Sequence, residues 1–380
     1  MLLKVKKTIV SILALTFIFS AIPCFADPLT PEVKSSILME ASTGNVLYEQ
    51  NANEHLPIAS VTKIMTMLII MEQIDSGALK FEDMVTVSEN AMSYGGSTMF
   101  LEAGELLSVH DMMKGIAVAS ANDGCVAMAE HIAGSEANFV DMMNKRAKEL
   151  GMNDTVFLNT NGLDEDGQYS SAHDVAVMSR ELIKHEKVFE YTKIWIDSLR
   201  DGKFELANTN RLIRFYNGAT GLKTGSTSKA GCCLSATAER DGMSLIAVVL
   251  GAPDTKTRFS SASSLLNYGF SSYSVKKQIE KGEPTGLVTV SKGIQKEVQT
   301  EALDGFSVLS PKANPRNIEK KVVLSDTIVA PIQKGDKVGE IVFSENGEQL
   351  CSVDIVASTD VEKKGFHLVL TDVLHELLFA

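Results

Sequence analysis

Strand-forming sequence stands at both ends of a long helical block, and that order limits the fold more than any other feature of the chain. Residues 35–49, "SSILMEASTGNVLYE", read as two short strands around a Thr43-Gly44-Asn45 turn. Residues 60–76 read as a helix. Its middle, Ile64 to Met71, is apolar almost all round, which predicts a central buried helix. Helical patterns follow at 109–119, 122–133 and 136–150, with Gly151 as a stop. "TGLKTGST" then leads into "AGCCLSATAE" and "MSLIAVVLGA". The last two are strands joined at Arg240-Asp241-Gly242, a strong hairpin signal. A closing helix is expected at 256–270. The expected fold class is α/β of the α+β type. One antiparallel sheet is assembled from both ends of a domain, flanked by helices, with a helical insert between.

Past about residue 277 the helical texture stops. "GLVTVSKG", "KKVVLSDTIVAPI" and "GDKVGEIVFSENGEQLCSVDIVAS" are short strands punctuated by Gly, Pro and Asn. A first domain over 27–276 and a small all-β domain over 277–365 are expected. The tail, 366–380, carries apolar residues at 366, 370, 373, 374, 377 and 378, a helical stripe. It reads equally as a helix lying on a membrane surface and as a capping helix packed on protein. Asp372 and Glu376 fall on its polar face, where a membrane helix would favour Lys or Arg.

The N-terminus reads as an export signal. Lys4, Lys6 and Lys7 precede an apolar core, Ile9 to Phe19, and Cys24-Phe25-Ala26 resembles a small-residue cleavage site with cutting before Asp27. Residues 1–26 are therefore expected to be removed, and the chain to work in the cell envelope or outside it. Four Cys remain, at 125, 232, 233 and 351. Adjacent Cys232 and Cys233 on a strand point to opposite faces and pair poorly. Small buried thiols are the simpler reading. The His residues show no metal-ligand spacing, so no metal or cofactor is expected. A net charge of −12 argues against a general affinity for nucleic acid.

Ser60 and Lys63 are one helical turn apart, so their side chains share a face. A free Ser hydroxyl is a poor nucleophile and needs an adjacent base. A Lys amine can serve if burial lowers its pKa. S-x-x-K also occurs at Ser226…Lys229 and Ser274…Lys277, where Lys on a solvated face is the plain reading. Lys63 differs because it sits in an apolar run. Two polar triplets follow in order: Ser120-Ala121-Asn122 about 60 residues on, and Lys223-Thr224-Gly225 about 100 further. Singly, the first also reads as a helix cap by Ser120, and the second as an edge-strand Lys with a turn Gly. The ordered set S-x-x-K, S-x-N, K-T-G is that of β-lactamases and penicillin-binding proteins.

With these motifs the chain resembles the D-alanyl-D-alanine carboxypeptidase family of low-molecular-mass penicillin-binding proteins. "ASANDGCVAMAE", "FLNTNGLDEDGQYSSAHD" and "GLKTGSTSKAGCCLSATA" resemble that family's second motif, its loop and its third motif. The resemblance implies a serine peptidase acting on peptidoglycan stem peptides that end in D-Ala-D-Ala, with β-lactams as inhibitors. Ser60 would be the nucleophile and Lys63 its base. Ser120 would relay a proton, and Asn122 would orient Lys63 and the substrate amide. Lys223 would hold the field positive and keep Lys63 neutral. Thr224 would bind the terminal carboxylate. Gly225 completes the motif, and the backbone N–H groups of Ser60 and Ser226 would form the oxyanion hole. A free carboxylate also asks for an Arg. Arg258 matches the family position suspected of this, and Arg211 is a weaker candidate. Glu165 lacks the pattern of a class A β-lactamase base, and Asp164 and Asp166 read as turn residues. Penicillin is therefore expected to acylate Ser60 and to leave slowly. The rivals are a D,D-endopeptidase, a β-lactamase and a non-catalytic β-lactam sensor.

Overall fold

The computed structural model describes residues 29–379. The proposed export signal, 1–26, lies outside the described residues. Strands β1 (Ser35–Glu40) and β2 (Val46–Gln50) form a hairpin. A helical block follows: α1 (Lys63–Asp75), α2 (Val109–Lys114), α3 (Asn122–Ala133), α4 (Glu136–Glu149) and α5 (Ala172–Leu182). Three long strands, β3 (Ala219–Thr227), β4 (Gly231–Arg240) and β5 (Met243–Ala252), precede α6 (Thr255–Ser272). The sheet order is β2-β1-β5-β4-β3, antiparallel throughout. The expected assembly of one sheet from both ends of the first domain is therefore present.

Both faces of this sheet are covered. On β5, Ile246, Val248 and Leu250 join the core beneath the helical block, while Leu245, Ala247 and Val249 face α6. That explains a strand that reads as one unbroken apolar run rather than as an alternation. α1 runs through the centre of the larger core, and every residue from Lys63 to Met71 is buried. Burying a Leu, Ile or Met side chain contributes roughly 1.5–3 kcal/mol, so a helix apolar all round is stable only here.

From Tyr273 onward the chain is built of strands, up to a C-terminal helix. β6 (Tyr273–Ile279) pairs with β9 (Phe306–Pro311). β7 (Pro284–Ser291), β8 (Glu297–Ala302), β10 (Glu319–Leu324), β11 (Thr327–Val329), β12 (Lys337–Glu345) and β13 (Glu348–Ala357) form a second sheet in the order β10-β12-β13-β8-β7-β11. It has its own core around Ile341, Phe343 and Ile355. Leu309 on β9 instead packs into the α6 core of the first sheet, tying the two parts together. The last helix, α7 (Phe366–Phe379), leaves Phe366, Leu370, Val373, Leu377 and Leu378 exposed.

Two local readings differ. The nucleophile does not sit on the α-helix, because residues 59–62 form a 3-10 turn and α1 begins at Lys63. Ala59 has φ +49°, a bend that "PIAS" does not advertise. The expected helix 109–119 becomes a π-turn over Gly115–Ala119, which delivers Ser120 at φ +64°. K-T-G lies within a nine-residue edge strand.

Candidate active site

Three segments converge on Lys63. Its Nζ donates to Ser60 Oγ at 3.0 Å, to Asn122 Oδ1 at 2.7 Å and to the Asn161 carbonyl at 2.6 Å. Three acceptors match the three protons of an ammonium. The side chain is fully buried, and burial lowers its pKa to about 8. The other two S-x-x-K lysines behave differently. Lys229 and Lys277 are exposed and ion-paired to Asp166 and Glu280. Burial thus separates the chemical S-x-x-K from the two that occur by chance.

Asn122 is held from two sides. Its Nδ2 donates to the Gly95 carbonyl at 2.7 Å, and its backbone N–H donates to the Ser97 carbonyl at 2.7 Å. The next residue, Asp123, is buried and accepts the backbone N–H groups of Met99, Leu101 and Gly124. It clamps the 95–101 loop over Asn122. Ser120 is buried in the left-handed turn just before α3. The helix-capping reading fails, since α3 starts after Ala121 with no side-chain cap. A left-handed non-Gly residue costs about 1–3 kcal/mol and persists where surrounding structure enforces it.

The third wall is β3. Lys223 is fully buried, with Nζ donating to the Thr224 carbonyl at 3.0 Å. It is on an edge strand but is no solvated edge Lys. Burial first, then the charge of Lys63, pushes its pKa down. At Lys63 burial is the leading cause, and the charge of Lys63 acts on Lys223. Thr224 is buried with its Oγ1 2.6 Å from Thr209 Oγ1. At Gly225 a Cβ would sit 2.8 Å from the Ser60 backbone N, so only glycine lets this strand approach the nucleophile turn. Ser226 is exposed, beside Cys232, with Oγ to Sγ at 3.8 Å. Arg258, in the second turn of α6, is buried rather than solvated. Its Nη1 donates to the Gly225 carbonyl at 3.3 Å. Its Nε is buried without a partner. Arg211 is not on β3 but lines a cleft beside it.

A family profile described as D-alanyl-D-alanine carboxypeptidase matches residues 25–254, and one for the C-terminal domain of penicillin-binding protein 5 matches 273–363. The D-alanyl-D-alanine carboxypeptidase DacF of Bacillus subtilis is 47% identical, covering 89% of this chain and 88% of its own. The chain belongs to the D-alanyl-D-alanine carboxypeptidase family. Among solved structures, penicillin-binding protein 5 from Haemophilus influenzae superposes with TM-score 0.70 at 31% identity, covering 87% of this chain and 98% of its own. Penicillin-binding protein D2 from Listeria monocytogenes, in its ampicillin-bound form, has TM-score 0.55 at 33% identity, covering 63% of this chain and 98% of its own.

Within this carboxypeptidase scaffold, sequence reasoning picked out the 157–174 loop but missed that it supports the nucleophile. Asn161 supplies a Lys63 acceptor through its backbone carbonyl, which no side-chain motif reveals. At Gly162 a Cβ would meet the Ala59 carbonyl oxygen at 1.9 Å, so this loop presses directly on the Ser60 turn. The loop is fastened at its other end. Thr227 Oγ1 donates to Asp164 at 2.6 Å, and Lys229 pairs with Asp166 at 2.7 Å. Both acids were expected to serve their own turn. They cross to the β3–β4 end instead, a long-range contact with no local signal. Glu165 accepts from Asn159 Nδ2 at 3.3 Å. The four described thiols are free. Cys125 and Cys233 are buried as expected, whereas Cys232 and Cys351 are half-buried.

Proposed function

We propose that this chain is a serine-type D-Ala-D-Ala carboxypeptidase that removes the terminal D-alanine from peptidoglycan stem peptides through an acyl-enzyme. The Lys63 cluster carries the reading. A fully buried amine with a pKa of about 8, 3.0 Å from a half-buried Ser hydroxyl, is a base held against a nucleophile. Neutral Lys63 takes the Ser60 proton as Oγ attacks the D-alanyl carbonyl. The backbone N–H groups of Ser60 and Ser226 meet the developing oxyanion, across the space that Gly225 leaves open. Ser120 passes the proton to the leaving amine, and Asn122 holds Lys63 and the substrate amide. Thr224 and Arg258 take the terminal carboxylate. Water then releases the shortened peptide from Ser60.

The chain is read as exported by residues 1–26, working at the outer face of the cytoplasmic membrane, with α7 making peripheral membrane contact. Among the described residues no helix is long and apolar enough to cross a membrane. The direct test is D-alanine release from a muramyl pentapeptide by residues 27–380, with Ser60→Ala and Lys63→Ala alongside. Release by the wild type and loss in both variants is expected. Intact mass spectrometry should show penicillin held on the wild type and absent from Ser60→Ala. Penicillin bound at Ser60 without D-alanine release would favour the sensor or the D,D-endopeptidase reading.

A further inference from the structure

Lys63 depends on two loops for its polar partners. The Asn161 carbonyl accepts from Nζ directly at 2.6 Å. The second loop acts through Asn122, whose Oδ1 accepts from Nζ while its Nδ2 donates to the Gly95 carbonyl at 2.7 Å. The next residue, Gly96, lies so close that a Cβ there would stand 3.0 Å from Asn122 Nδ2. Residues 95 and 161 are far apart in the chain, and a single carboxylate joins their loops.

That carboxylate is Glu136, the first residue of α4. Its Oε2 accepts the hydroxyl of Tyr94, beside Gly95. Its Oε1 accepts from Thr160, beside Asn161, taking the backbone N–H at 3.2 Å and the hydroxyl at 2.8 Å. Thr160 and Asn161 are fully buried. The Thr160 carbonyl in turn accepts the Thr66 hydroxyl at 2.6 Å, one helical turn past Lys63 on α1. Three donors thus converge on a side chain that, when ionised, can only accept. Tyr94 stays a donor, because burial first, and then the hydrogen bond to Glu136, raises its pKa. Glu72 and Glu105, also half-buried, pair with Arg146 and Arg200. Glu136 instead takes its hydrogen bonds from the two loops.

We propose that Glu136 is a positioning residue for the reaction, a brace that closes both loops on Lys63 and keeps the amine buried and aligned on Ser60. The inference rests on the assignment of Ser60 as nucleophile and Lys63 as its base. Glu136 touches no reacting group. It acts through the Asn161 carbonyl in one loop, and through Gly95 and Asn122 in the other. Without the carboxylate both loops lose an anchor, water reaches the Lys63 amine, and the burial that favours its neutral form weakens. Less of the base is then neutral at a given pH, and what remains is less well aligned. Gln at this position keeps an oxygen for Thr160 but turns an amide N–H toward Tyr94, so it holds one loop and loosens the other.

The test uses the mature chain, residues 27–380, with Glu136→Ala, Glu136→Gln and Tyr94→Phe. Penicillin acylation is followed from about pH 6 to about pH 10, alongside thermal melting and D-alanine release. Glu136→Ala should lower the plateau acylation rate by about tenfold. It should also move the midpoint up from about 8 toward the ordinary lysine value of about 10.4. Glu136→Gln and Tyr94→Phe should move both quantities the same way by less, with D-alanine release falling in step. Glu72→Gln, which breaks the ion pair to Arg146 near the other end of α1, is the control. It should lower Tm and leave the midpoint where it was, and a merely structural Glu136 would behave the same way. The inference is overturned if folded Glu136→Ala keeps the wild-type rate and midpoint, or if its rate falls with Tm while the midpoint stays. Should Glu136→Ala not fold, an unmoved midpoint in Tyr94→Phe overturns it equally. A wild type that neither binds penicillin nor releases D-alanine would instead remove the assignment of Ser60 and Lys63, and this inference with it.

Discussion

At Lys63 three acceptors surround an amine that burial drives toward its neutral form. The base that Ser60 needs is the neutral amine, which predominates only above a pKa of about 8. Acylation by penicillin should therefore rise with pH, reach half its maximum near 8, and level off above it. Stopped-flow acylation rates from about pH 6 to about pH 10 check this, since the ordinary Lys value would put the rise near 10.4. A profile flat through 8 would show that another group takes the proton. Loss of the amine in Lys63→Ala should cost about 10²–10⁴-fold in acylation, the usual worth of a positioned base. Most of these residues were legible in the sequence. S-x-x-K, S-x-N and K-T-G are side-chain patterns, and the apolar run 64–71 marked Lys63 as buried. The backbone partners were not, because the Asn161 carbonyl and the left-handed Ser120 leave no side-chain signature. Nor was the burial of Arg258 legible, since it depends on β3 and β4 lying beneath the first turns of α6.

Among the elements, the 158–168 loop and the Ser60 turn are held in register by a close backbone approach. Gly162 has φ +85°, and a Cβ there would lie 1.9 Å from the Ala59 carbonyl oxygen. The obstacle is backbone, so it cannot swing aside as a flexible side chain would. Gly162→Ala should destabilise the fold by about 1–3 kcal/mol through the strained φ and displaced loop. It should also slow penicillin acylation, because the same shift moves Ser60 away from Lys63. Thermal melting and acylation rate, measured together, separate the two effects. A variant with lowered Tm but wild-type acylation would show that the loop supports stability alone. The strands and main helices were readable because their signals are local: two covered faces for β5, all-round apolarity for α1, an Asp-Gly turn for the β4–β5 hairpin. The loop's docking was not, because Asp164 and Asp166 find their partners 63 residues away at Thr227 and Lys229.

For the whole molecule, the unresolved choice in the sequence was between a tail that packs on protein and one that lies on a membrane. α7 leaves Phe366, Leu368, Val369, Leu370, Val373, Leu377 and Leu378 exposed, so the rest of the chain does not cover these side chains. Such a helix gains by burying them in an interface, at roughly 25 cal/mol per Å² removed from water. The usual electrostatic help is missing. Residues 366–380 contain no Lys or Arg, and carry Asp372 and Glu376. Attraction to anionic lipid is worth about 1 kcal/mol per basic residue near the surface, so α7 contributes none of it. Residues 27–380 should therefore sediment with zwitterionic vesicles at least as well as with anionic ones, and added salt should not release them. Deleting 366–380 should abolish sedimentation while D-alanine release from soluble pentapeptide stays unchanged, since the site is built from residues 59–63, 120–123, 223–226 and 258. Binding that required anionic lipid, or that survived the deletion, would move the membrane contact to another surface. Unchanged soluble activity without vesicle binding is what separates an anchor from a structural prop. The β-strand region between them carries none of the reacting groups.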